Sequence, residues 1–236
     1  MRNRIGIVLL TVLLAAGILL PSCTPAGLPG NDPTDDSQAE TGTFGNGLIY
    51  KMIGKNTCTL SGIGTCPDAV IEIPRTAPDG SRVVGIADFA FQNCADVTAI
   101  VIPDTVLSIG NYAFENCTAL TAVTIPDSVK AIGNYAFHGC TALTSVKVSD
   151  RAETLGMYIF ANCSALRTVT LPETLSSIGA YAFYKCAALT DLLYAGGEAQ
   201  WSGVAKGDFW DSGAGAFTVR FDGSAAPENE LEPDFD

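Results

Sequence analysis

Cys94, Cys117, Cys140, Cys163 and Cys186 stand 23 residues apart, with no insertion or deletion between them. Phe91, Phe114, Phe137, Phe160 and Phe183 keep the same register, as do Ile86, Ile109, Ile132, Leu155 and Ile178. Several columns in step over five copies make an internal repeat, which restricts the chain to architectures of stacked units. A unit this short cannot enclose its own apolar face, so each copy must bury it against its neighbours.

The second copy, Ile109 to Ala131, reads IGNYAFENCTALTAVTIPDSVKA. Leu120, Val123 and Ile125 have the spacing of a strand with alternate residues inward, and Pro126-Asp127 turns the chain at its end. Val129 and Ile132 give a second extended stretch. Tyr112-Ala113-Phe114 and its equivalents make a tight turn or one turn of helix before the cysteine. The expected fold is a repeat solenoid of about five 23-residue coils with stacked parallel strands. At ~4.8 Å per strand the spine would be roughly 24 Å long. The third copy has Ser149 where Pro103, Pro126 and Pro172 stand, so a looser turn is expected there.

The repeated cysteines invite a metal or disulfide reading. Equivalent side chains on stacked coils, however, sit nearly a strand spacing apart, whereas a disulfide wants its Cβ atoms about 3.8 Å apart. A tetrahedral zinc site needs ligands converging from several directions. A buried ladder of free thiols is the favoured reading. Cys58 and Cys66 lie outside the register, across the turn Ser61-Gly62-Ile63-Gly64. In an oxidising compartment they are the expected disulfide.

Arg2 and Arg4, the uncharged run Ile5 to Leu20 and the closing Leu20-Pro21-Ser22-Cys23 read as an export signal. A permanent membrane helix is the alternative, but the run falls short of the ~20 residues that spanning needs. The stretch Leu-Pro-Ser-Cys resembles the bacterial lipoprotein signal, although Pro21 is an unusual residue at its position. The resemblance implies acylation of Cys23 and removal of residues 1–22. Thr24 to Gly45 carries Asp32, Asp35, Asp36 and Glu40, no basic residue, and clustered Pro, Gly, Ser and Thr. Such a segment cannot bury enough to fold, and as a tether it reaches roughly 25 Å, or about 75 Å pulled straight. Ser224 to Asp236 is a second acidic arm.

Without Arg2 and Arg4, 11 basic residues face 25 acidic ones. That balance suits neither nucleic acid nor anionic lipid, which require clustered Lys and Arg. The expected membrane contact is through the lipid anchor alone. Catalysis, metals and cofactors are not expected either. His138 is the only histidine, and its column, with Gln92, Glu115, Ala161 and Tyr184, varies as a surface column does. The acid pairs Asp35-Asp36 and Asp208 with Asp211 read as solvated charge.

Two columns remain as candidate contacts. On the outer face of the strands, Val101, Thr124, Lys147, Thr170 and Leu193 run beside Thr98, Thr121, Thr144, Arg167 and Thr190. They form either a partner-binding grid or simply a set of good strand formers. Phe89, Tyr112, Tyr135, Tyr158 and Tyr181 should stack between coils, either as packing or as an adhesive surface.

The repeat I-G-x-Y-A-F-x-x-C-x-x-L-x-x-V-x-I-P-x-x-V resembles the BspA-like, or Treponema-type, leucine-rich repeat family over about Val83 to Leu193. By that resemblance Gly47 to Pro74 would be a β-rich N-terminal cap, and Leu193 to Asp222, with Trp201, a strand-helix-strand C-terminal cap. The expected organisation is a signal peptide over 1–22, a lipidated acidic linker over 23–45 and a cap over 46–84. The solenoid follows over 85–194, a second cap over 195–223 and a disordered tail over 224–236. The resemblance also implies a bacterial cell-surface protein linked with adhesion to a protein or glycoprotein of a host or neighbouring cell. The competing reading is a structural envelope lipoprotein that organises an assembly and has no host ligand.

Overall fold

The computed structural model describes residues 41–43, 47–63 and 69–221. The expected signal 1–22, Cys23, Cys66 and the tail 224–236 lie outside them. Strands β1 (Thr41–Thr43), β2 (Ile49–Gly54) and β3 (Thr57–Gly62) run antiparallel in succession. There follow β4 (Val70–Glu72), β5 (Arg82–Ile86), β6 (Ala99–Val101), β7 (Ser108–Ile109), β8 (Ala122–Thr124) and β9 (Ala131–Ile132). Next come β10 (Ser145–Lys147), β11 (Thr154–Leu155), β12 (Thr168–Leu171), β13 (Ser177–Ile178) and β14 (Asp191–Tyr194). The chain closes with helix α1 (Glu198–Gly203), β15 (Ala205–Lys206) and β16 (Thr218–Phe221).

The even-numbered strands from β4 to β16 form a seven-stranded parallel sheet, with Ile71, Ile100, Val123, Val146, Val169, Leu192 and Val219 side by side. These are the inward residues, and the 23-residue repeat holds five of them in register. Five coils were expected; the sheet has seven strands. Its outer members β4 and β16 belong to coils that lack the cysteine register, and the spine counted in the same way is roughly 34 Å long at strand spacing.

Inside, Phe91, Phe114, Phe137, Phe160 and Phe183 are fully buried and stacked, with successive ring centroids 5.1, 5.0, 5.7 and 5.7 Å apart. Cys94, Cys117, Cys140, Cys163 and Cys186 are all buried. The last four each donate to the carbonyl of a phenylalanine one coil back, at 3.0 to 3.2 Å. The row is a set of weak cross-coil hydrogen bonds within an apolar column.

The Tyr-Ala-Phe segment is a turn, and its aromatic residue is left-handed: Tyr112, Tyr135, Tyr158 and Tyr181 have φ of 55° to 58°. A bulky residue there is uncommon and strained. The strain is offset by cross-coil bonding, since alternate amides of the turn reach the next coil. Tyr112 donates to the Asn134 carbonyl, Phe114 to Ala136 and Asn116 to His138, at 2.8 to 2.9 Å. Side chains add a further ladder: the Asn111 and Asn134 amide oxygens accept the main-chain N–H of Asn134 and Met157. The coils approach so closely that a Cβ on Gly133 would lie 2.5 Å from the Asn111 nitrogen. That contact explains the glycine of the Ile-Gly pair.

The odd-numbered strands form the second ladder, which is interrupted. β5, β7 and β9 extend the sheet begun by β1 to β3, whereas β11, β13 and β15 form a separate one. Lys130 donates to Leu107, and Gly133 to Ile109, but the equivalent bonds from Glu153 to Lys130 and from Gly156 to Ile132 are missing. The break falls in the copy that has Ser149, yet the serine turn itself is tight rather than loose. Ser149 is fully buried, its hydroxyl donates to the Val129 carbonyl at 2.6 Å, and the same oxygen accepts the Arg151 N–H at 3.1 Å. A side-chain turn has replaced the proline.

Candidate functional site

Of the expected contact residues, Thr124, Lys147 and Thr170 lie on the seven-stranded sheet, and Thr98, Thr121, Thr144, Arg167 and Thr190 immediately precede β6, β8, β10, β12 and β14. Thr121, Thr124, Thr144, Lys147, Arg167 and Thr190 are exposed, while Thr98 and Thr170 are half-buried. Register places Thr124, Lys147 and Thr170 side by side on adjacent strands, and extends their column to Glu72 at one end and Arg220 at the other. A parallel column Ala99, Ala122, Ser145, Thr168 and Asp191 lies next to it. Its residues are small or short, so the sheet surface is flat and the long side chains stand clear of it.

The two threonine columns differ in chemistry. The hydroxyls of Thr121, Thr144 and Thr190 donate to the carbonyls of Thr98, Thr121 and Arg167 on the preceding coil, at 3.1 to 3.3 Å. Their protons serve the solenoid, leaving lone pairs and methyl groups outward. The side-chain hydroxyls of Thr124 and Thr170 bond no group among the described residues, so they keep both donor and acceptor capacity.

Charges on this face are partly neutralised. Lys147 lies 3.5 Å from Asp150 with both side chains exposed, a weak pairing. Arg220 holds Asp191 at 2.7 Å, and that guanidinium keeps the Asp191 carboxyl below its ordinary range. Arg167 makes no ion pair among the described residues. It is the unengaged cation of the grid. Sequence reading placed Lys147 and Arg167 together; it gave no sign that Lys147 has a partner.

The aromatic column is a continuous stack from Phe89 through Tyr112, Tyr135, Tyr158 and Tyr181 to Phe209, with centroids 4.7 to 5.4 Å apart. Phe209 was not foreseen as its sixth member. Ring faces within the stack are covered by their neighbours, so only edges and phenol groups meet solvent.

His138 stands in a polar row rather than on an open surface. Its Nδ1 lies 3.1 Å from the Glu115 carboxylate, and its Nε2 lies 2.9 Å from the Asn162 side-chain amide. Gln92 donates to the other Glu115 oxygen at 2.6 Å. The column reads as variable because it mixes residue types, yet its first three members, Gln92, Glu115 and His138, are bonded from coil to coil. Both imidazole nitrogens are occupied, which leaves neither for a metal or a substrate. Among the described residues no group of His, Cys, Asp and Glu is placed to hold a metal ion, and no helix is long and apolar enough to cross a membrane.

Cys58 is buried with its Sγ 3.6 Å from the Arg82 carbonyl oxygen, and burial pushes its thiol pKa up. Its expected partner Cys66 is among the residues not described, as is the lipidation residue Cys23.

Three solved structures have the same fold. A leucine-rich cell surface protein from Faecalibacterium prausnitzii A2-165 is 26% identical with a TM-score of 0.55, over 80% of this chain and 56% of that one. The leucine-rich repeat protein of T. pallidum is 23% identical with a TM-score of 0.56, over 80% of this chain and 86% of that one. One from Eubacterium ventriosum is 21% identical with a TM-score of 0.58, over 85% of this chain and 55% of that one. The chain thus spans little more than half the length of the first and third. No curated protein matches it. The family described as BspA type leucine-rich repeat region matches in six copies over residues 84–198, which makes that part of the chain a BspA-type leucine-rich repeat region.

Proposed function

We propose that this chain is a non-catalytic, lipid-anchored cell-surface protein. In this reading it binds a protein or glycoprotein on a host or neighbouring cell through the outer face of its seven-stranded sheet. The observation that carries the reading is the grid at its centre, where Thr124 and Thr170 flank Lys147 with unengaged hydroxyls, near an Arg167 that pairs with no acid among the described residues. Main-chain pairing on both sides fixes these positions, so binding orders no loop and loses little entropy. In a mildly acidic domain, a small cationic area selects an acidic group on the partner and disfavours basic ones. Repeat proteins of this family support an interaction role in general terms. Its placement at the cell surface rests on the lipoprotein-like sequence at Cys23.

Protease treatment of intact cells tests the reading. A surface-displayed chain is digested while a cytoplasmic control protein survives. Full protection of the chain in cells whose envelope is intact would overturn surface display.

A further inference from the structure

An open cleft of about 400 Å³, lined by Lys130, Arg151, Glu153 and Thr174, lies where the second ladder is interrupted between β9 and β11. It belongs to a different face from the sheet grid. Its cause is local in sequence: Arg151 stands in a column that otherwise holds Thr105, Ser128 and Thr174. Thr105 is buried and Ser128 half-buried, and both hydroxyls are enclosed. Arg151, like Thr174 at the equivalent position one coil on, is exposed instead. The two main-chain bonds that would close the ladder here are missing, so the Glu153 and Gly156 amides do not reach the Lys130 and Ile132 carbonyls.

The lining has a distinctive chemistry. Lys130 and Arg151 make no ion pair among the described residues, and neither does Glu153. Two cations and one carboxylate leave a single net positive charge, which matches a singly charged carboxylate better than a doubly charged phosphate. A simple anion would be repelled by Glu153. A ligand that carries hydroxyls as well as the carboxylate turns Glu153 into an acceptor for them. The volume is within the range of small-ligand sites, ~300 to 1,000 Å³. We infer that this cleft binds a hexuronic acid unit, with its carboxylate held by Lys130 and Arg151 and its hydroxyls donating to Glu153. The inference is independent of the sheet-face reading, because none of the four lining residues belongs to that face.

The test is a titration of the full chain with glucuronate, glucose 6-phosphate and glucose, followed by the amide chemical shifts of residues 130–132 and 151–156. Glucuronate should shift these amides at millimolar concentration and glucose should not. Arg151→Ser should weaken the response roughly tenfold, a loss expected for a charge-assisted contact. Lys130→Gln, at an exposed position that leaves the turn intact, should weaken it similarly. Lys51→Ala, which removes an exposed cation on β2, should leave it unchanged. Glucose shifting the same amides equally, or both cleft variants retaining full response, would overturn the inference. Tighter binding of glucose 6-phosphate would overturn the choice of a carboxylate, and an equal loss in Lys51→Ala would show non-specific charge attraction.

Discussion

The Sγ of Cys140 lies 3.2 Å from the carbonyl oxygen of Phe114, one coil back, and the same relation recurs between Cys163 and Phe137 at 3.1 Å and between Cys186 and Phe160 at 3.0 Å. Each thiol is a buried donor on the seam between coils. Burial raises the Cys186 pKa to about 12 and that of Cys163 well above the ordinary thiol range.

These thiols bind their protons more tightly folded than unfolded. Their contribution to stability is therefore complete below the unfolded thiol pKa of about 8.5 and is lost as pH rises towards about 12. Chemical denaturation between pH 8 and 11 should give a falling midpoint, and iodoacetamide should label the repeat cysteines only after unfolding. Rapid labelling of the native chain at neutral pH would contradict the buried ladder.

Phe137 is sandwiched between Phe114 at 5.0 Å and Phe160 at 5.7 Å and is fully buried. Phe137→Ala should cost about 3 to 5 kcal/mol, and because coils are stabilised by their neighbours the loss should spread along the solenoid. Thermal unfolding checks it. An unchanged Tm would mean the ring is not part of the core.

Lys185 occupies a left-handed position with φ 58°, where the preceding coils have Asn93, Asn116, Gly139 and Asn162. Left-handed backbone costs a lysine roughly 1 kcal/mol more than it costs Gly or Asn. Lys185→Asn should stabilise the domain by about 0.5 to 1 kcal/mol, a rise in Tm of roughly 1 to 4 °C for a domain of this size. A fall in Tm would show that the cation over the Tyr184 ring, at 5.1 Å, is worth more than the strain.

Cys23→Ser should abolish lipidation and leave an unprocessed precursor. Metabolic labelling with a fatty-acid analogue, read on the purified chain, checks this. Label retained by the serine variant would assign the anchor elsewhere.

What the sequence made legible was whatever repeated with the cysteines. The phenylalanine core, the inward Val123 and Val146 and the outward threonines all follow from one period, because equivalent side chains in stacked coils must point the same way. Ile71 and Val219 complete the sheet, but their coils have no such marker, so their strands were assigned to the caps rather than to the solenoid. The left-handed tyrosines were hidden for a different reason. Aromatic residues favour extended backbone, and the bonds that hold Tyr112 in its turn come from Asn134 in another copy. Inter-coil bonding likewise sets the state of the site: Thr121 and Thr144 share a residue type with Thr124 and Thr170, yet the preceding coil engages only the first pair. Arg151 was visible as an odd residue in its column, but the ladder break beside it depends on main-chain geometry that no single column records.

The central claim is that the sheet face binds, and the most direct measurement is adhesion of the purified chain to cultured host cells. It compares the native sequence with the double variant Lys147→Ala, Arg167→Ala and with Lys185→Asn as control. Both charged side chains are exposed, so folding by circular dichroism should be unchanged. Adhesion of the double variant should weaken about tenfold or more, equivalent to ~1.4 kcal/mol, while the control binds like the native chain. Normal adhesion of the double variant, with loss in a folded Tyr135→Ala, Tyr158→Ala variant, would contradict the assignment and place binding on the tyrosine side.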